Sequence, residues 1–61
     1  MFVGAHMKFL TKYGDEKVGT LVRSYPAFEG GMRYILDVDG IQYRCVWQKK
    51  GDKEVLVEYV A

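Results

Sequence analysis

Apolar and polar residues alternate with period two through most of this chain. Met32, Tyr34, Leu36 and Val38 share one parity, and Ile41, Tyr43, Cys45 and Trp47 share another. Asp39-Gly40 stands between the two runs. It is the favoured pair for a two-residue hairpin turn, because both turn positions need positive φ. A turn closed there sets Val38 opposite Ile41, Leu36 opposite Tyr43, Tyr34 opposite Cys45 and Met32 opposite Trp47. Side chains alternate across a strand, so all of these residues then lie on one side of the sheet. A slip of one residue would scatter them, so pattern and turn agree on one register.

The remaining runs are also rich in Val, Ile, Tyr, Phe, Trp and Thr, with Gly, Asp and Pro at short intervals. That composition and the lack of any helical period predict an all-β protein. The expected strands are Met7 to Tyr13, Lys17 to Tyr25, Met32 to Val38, Ile41 to Lys49 and Lys53 to Val60. Pro26 closes the second, since proline cannot donate to a ladder, and residues 26–31 form the one substantial loop. For the first hairpin, a turn at Gly14-Asp15 sets Phe9 opposite Thr20 and Thr11 opposite Val18. For the last, a two-residue loop at Gly51-Asp52 puts Trp47 opposite Leu56 and Cys45 opposite Glu58, a carboxylate against the core. A three-residue loop over Lys50-Gly51-Asp52 instead pairs Trp47 with Val55, Cys45 with Val57 and Tyr43 with Tyr59. The apolar face stays intact in the second arrangement, which is therefore the expected one.

Carried across the strands, that face adds Phe9, Val18 and Val22 to the central hairpin, with Val55, Val57 and Tyr59 from the last strand. Trp47, Tyr34, Leu36, Tyr43 and Val57 are the expected centre of the core. A flat sheet would leave the face wet, so closure is the economical solution. The prediction is a five-stranded antiparallel meander forming a small barrel, SH3-like or partly open. Its resemblance to SH3-like barrels is architectural and implies no function.

The second face mixes Lys8, Lys12, Arg23, Arg33 and Arg44 with Leu10, Leu21, Ile35, Val46, Leu56 and Val60, and it also carries Asp37, Glu54 and Glu58. Arginine interleaved with apolar residues matches the composition of protein interfaces. Arg23, Arg33, Ile35, Arg44, Val46 and Leu56 are the expected interface, and a symmetric homodimer is the expected use. Solvated decoration is the competing reading, because exposed aliphatics are normal and Arg stems cover them. An alternative site, for nucleic acid, is made by Tyr25 and Phe28 in and beside the loop and by Lys49, Lys50 and Lys53 at the last turn. There bases would stack and lysines would track phosphates.

Composition narrows the picture without adding chemistry. Sixty-one residues make one domain, close to the size at which a core is marginal. Residues 1–6 read as an expression-tag remnant or a disordered N-terminus, with Met7 or Met1 as the native start, and 7–61 as the single β domain. The aromatics, 15% of the chain, supply packing that a single Cys cannot supply by disulfide. Cys45 reads as a small buried hydrophobe and fits a reducing, cytoplasmic setting. Nine Lys/Arg against eight Asp/Glu leave a net charge of +1, so no general pull toward nucleic acid or anionic membrane follows. No apolar run approaches the ~20 residues of a membrane helix, and the opening residues lack the pattern of a secretory signal.

Specific chemistry is equally sparse. Asp37-Val38-Asp39-Gly40 opens like a calcium loop but lacks the closing glutamate. Gly30-Gly31 has no Lys-Ser/Thr after it and reads as strain relief in a loop. His6 is the one imidazole, so no Ser-His or Cys-His pair is supported, and Asp15-Glu16 reads as a solvated turn. No catalytic residue, metal or cofactor is expected. The sequence describes a small non-enzymatic binding or adaptor module that acts through protein–protein contact or self-association, with nucleic-acid binding as the alternative.

Overall fold

The computed structural model describes residues 3–59. Five strands run in order: β1 His6–Leu10, β2 Glu16–Pro26, β3 Met32–Val38, β4 Ile41–Lys50 and β5 Lys53–Glu58. Each pairs antiparallel with the next, and β1 meets β5 to close the barrel. Five alternating strands leave the first and last pointing the same way. The closing pair, Leu10 beside Val57, is accordingly parallel. Val60 lies outside the described residues.

The central hairpin has the expected register, from Val38 beside Ile41 through Leu36 beside Tyr43 to Tyr34 beside Cys45 and Arg33 beside Val46. Asp39 and Gly40 have φ of 52° and 86°, as the mirror-image turn requires. Asp37 Oδ1 also accepts the Gly40 N–H at 3.0 Å.

Both flanking hairpins depart from expectation. The β4–β5 loop is the two-residue one, with Lys50 beside Lys53, Trp47 beside Leu56 and Cys45 beside Glu58. Gly51 has φ of 66°, which suits the first position of a tight turn whose second residue stays at negative φ. The feared carboxylate is accommodated because Glu58 lies near the end of the strand, where its Oε1 accepts the Lys12 N–H at 2.9 Å. Leu56 therefore turns inward and is buried, whereas Val57 and Tyr59 are only half-buried. In the first hairpin Phe9 lies beside Lys17, not Thr20. The loop runs from Thr11 to Asp15, tied by Thr11 N–H to Asp15 O at 2.7 Å and Gly14 N–H to Thr11 O at 2.9 Å. Pairing continues N-terminally, since Gly4 N–H donates to Leu21 O and Leu21 N–H to Ala5 O. Residues 4 and 5 thus extend β1, which itself opens at His6.

A bulge between Leu21 and Arg23 resets the parity of β2. Leu21 is brought inward, Val22 becomes the extra residue, and Arg23 and Tyr25 point outward. Val18 and Val22, expected in the core, are exposed. A bulge also sharpens local twist, which helps so short a sheet close.

The core consists of Phe9, Leu21, Tyr34, Leu36, Cys45 and Leu56, with Met7, Val38 and Tyr43 packed against it. The Phe9 and Tyr43 rings meet at 5.2 Å between centroids. Gly19 lies against Phe9 and Leu36, and a Cβ placed on it would lie 2.9 Å from Leu36 Cβ and 3.3 Å from Phe9 Cε1. The two large side chains fill the space a side chain would need.

Candidate functional site

The outer face of β3 and β4 is largely satisfied by the protein itself. Arg33 is buried, stacked on the Tyr59 ring with its guanidinium carbon 3.7 Å from the centroid, and ion-paired with Glu29. The β5 register that turns Leu56 inward also delivers Tyr59 to this face. Ile35 is only 8% exposed and lies between its cross-strand neighbours Arg23 and Arg44. Val46 is half-buried, and Arg23 and Arg44 are exposed. Arg23 also lies 5.3 Å from the centroid of Tyr25. Of the six residues expected as an interface, the structure gathers Arg23, Arg33, Ile35, Arg44 and Val46 on one face. Leu56 belongs to the core, because the shorter β4–β5 loop reverses its side.

The least satisfied surface lies elsewhere, at one end of the barrel. Trp47 has the inward parity of Cys45, but it sits two residues farther along β4 and is 42% exposed. Inward parity secures burial only in the middle of a strand; at its end the side chain overhangs the mouth. Its indole meets Tyr34 edge-on, with centroids 6.4 Å apart and planes at 80°. Trp47 also stands between two clefts. One, of about 260 Å³, is lined by Phe9, Leu10, Val55 and Leu56 together with Lys8, Glu16 and Glu54. The other, about 500 Å³, runs past Glu29, Gly30, Gly31, Met32 and Tyr34. Met32 is 42% exposed, and Phe28, next to Glu29 in the loop, is fully exposed.

The residues expected for nucleic acid are distributed around this end. Tyr25 is half-buried, while Phe28, Lys49, Lys50 and Lys53 are exposed. Lys50 and Lys53 are direct cross-strand partners, and Lys49 faces Glu54. Parity alone assigned Trp47 to the core and so hid the residue that joins these groups. Its place near the end of β4, close to the Gly51-Asp52 turn, was the available signal.

Cys45 offers no nucleophile. Burial, and secondarily the negative charge of Glu58, push its thiol up to about 12. It therefore remains a neutral thiol at physiological pH, and the unfolded chain releases this proton first, near pH 8.5. Stability is thus full below that value and declines as pH rises toward 12. Thermal melts between pH 8 and 11 should show the parent losing more stability than Cys45→Ala, whereas parallel losses would exclude Cys45 as the cause. Among the described residues no group of three His, Cys, Asp or Glu is placed to hold a metal ion. No helix there is long and apolar enough to cross a membrane. No family model matches the chain, and no curated protein or solved structure is significantly similar to it.

Proposed function

We propose that this chain is a small non-enzymatic binding module that engages a protein partner, a second copy of itself included, through the barrel mouth around Trp47. The observation that carries the reading is the exposure of Trp47 and Met32 at the mouth, with Phe28 projecting from the bordering loop. Holding a large aromatic at a water interface is costly unless a partner covers it, and Trp is enriched among residues that dominate binding energy. The mainly apolar cleft on one side of the indole suits an inserted side chain, and the mixed cleft on the other adds polar contacts. The exposed Arg23 and Arg44 extend the contact surface beyond the mouth. A buried, unpaired Cys45 supports a cytoplasmic setting.

Nucleic acid is the second reading, favoured by the same indole standing at the end that carries Lys49, Lys50 and Lys53. Against it, the clefts set Glu16, Glu54 and Glu29 beside Lys8 and Arg33, so they offer phosphates no net positive field. Anisotropy titrations with labelled single- and double-stranded oligonucleotides separate the two. Protein recognition expects no measurable binding at low salt. Binding that weakens steeply with added salt would instead establish phosphate contacts. Sedimentation equilibrium over a wide concentration range decides whether a second copy is the partner.

Trp47 should also be dispensable for folding. Trp47→Ala is expected to destabilise by about 1–2 kcal/mol, below the roughly 3–5 kcal/mol typical of a buried aromatic. A denaturant melt showing the variant unfolded in water would return Trp47 to the core.

A further inference from the structure

The β1–β5 seam that closes the barrel is paired at a single point. Among the described residues, pairing between β1 and β5 is confined to Leu10 and Val57. Over Lys53–Val55 the edge of β5 that faces β1 therefore has no ladder pair, leaving backbone N–H and C=O groups for an added strand. Beside this edge lies the 260 Å³ cleft, with Phe9 and Leu56 buried in its wall and Trp47 above. A leucine- or phenylalanine-sized side chain suits that volume and that lining.

Charge supplies the second half of the argument. Lys50 and Lys53 oppose each other across the ladder, an arrangement that costs stability because like charges meet directly. Among the described residues neither has an ion-pair partner, in contrast to Lys8, which lies 3.8 Å from Glu16, and Arg33, which pairs with Glu29. A carboxylate held between the two lysines would relieve that repulsion. Lys53 lies three residues from Leu56 and, by alternation, on the opposite side of β5. At the rise of a β-strand that separation is about 10 Å, and the third residue along any extended peptide likewise points to the opposite side.

We propose that the β1–β5 seam binds an extended acidic segment of a partner protein. One of its apolar side chains enters the cleft beside Trp47, and a carboxylate three residues along, pointing to the other side, reaches Lys50 and Lys53. The assignment rests on the binding-module reading and adds the chemistry of the partner. A nucleic acid fits less well, because the cleft is mainly apolar with Lys8 balanced by Glu16, and a phosphate backbone running past it would have only the Lys50–Lys53 end to track.

The test is a titration of the 15N-labelled full chain, followed by amide shifts, with Gly/Ser decapeptides carrying one Leu. In one peptide Glu-Glu begins two residues after the Leu; in its control Lys-Lys stands there. The expected result is shifts concentrated at Lys8–Leu10 and Lys53–Val57, at least fivefold tighter binding of the acidic peptide, and reversed preference in Lys50→Glu/Lys53→Glu. Both substitutions lie at an exposed turn, and the same spectra report whether the variant is folded. Shifts centred on Trp47 and Met32 without charge preference would overturn the acidic assignment while leaving the mouth as a binding site. No shifts with either peptide at millimolar concentration would overturn both. Oligo(dT) perturbing the same seam, with strong salt dependence, would overturn the peptide in favour of nucleic acid.

Discussion

Leu36→Ala should leave the chain mostly unfolded at 25 °C. Leu36 is 0% exposed and lies in the central strand, where it belongs to the same cluster as Phe9, Leu21 and Cys45. Truncating a buried leucine costs about 2–5 kcal/mol, because the surrounding side chains relax only partly into the space. A folded domain holds roughly 0.05–0.15 kcal/mol per residue, which is ~3–9 kcal/mol for this chain of 61 residues. The loss is thus comparable with the whole stability. Circular dichroism in a urea titration reads it directly, and a variant whose midpoint moves only slightly would show that the core is not organised around Leu36.

Gly19→Ala is expected to destabilise, the reverse of the usual effect. Alanine in a strand normally gains roughly 0.5–1 kcal/mol over glycine by reducing the freedom of the unfolded chain. Here the added methyl would lie 2.9 Å from Leu36 Cβ, an atom held close to its own backbone and unable to swing away. Overpacking of this kind costs about 1–3 kcal/mol, so the net change should be a loss. Gly19→Val should be worse still. A stabilised Gly19→Ala protein would mean that β2 and β3 pair in another register, with a different residue facing Leu36.

The central hairpin was legible because two independent signals coincide there: alternation on both strands, interrupted only at Ile35 and Val46, and a dipeptide that satisfies the turn. Elsewhere one signal stood alone. At Gly51-Asp52, keeping Glu58 off the core favoured a longer loop, whereas the chain places Glu58 at the barrel end and gives it the Lys12 N–H. A carboxylate with inward parity is tolerable where the strand is about to end. In β2 the bulge at Val22 breaks the period, so no reading by parity could carry Leu21 inward and Arg23 outward together. Gly19, over which Leu36 and Phe9 pack, has no side chain to show in a hydrophobic pattern.

The candidate site was legible in pieces. Phe28, Lys49, Lys50 and Lys53 are exposed as their positions in a loop and near a turn suggest. The stacking of Arg33 on Tyr59 was hidden, because it depends on the β5 register. So was the singly paired seam, which follows from barrel closure, a property of how distant strands meet and not of any local run. Trp47 was placed on the correct side but at the wrong depth, since alternation gives direction and says nothing of distance from the barrel's end.

Trp47 is the only tryptophan in the chain, so its fluorescence reports the barrel mouth alone. Acrylamide quenching of the native protein at low micromolar concentration tests most directly whether that mouth presents an accessible aromatic for binding. The account expects ready quenching with an emission maximum of a partly hydrated indole, and protection when the acidic peptide is bound. A blue-shifted emission that resists acrylamide in the free, monomeric protein would place Trp47 inside the core and contradict it.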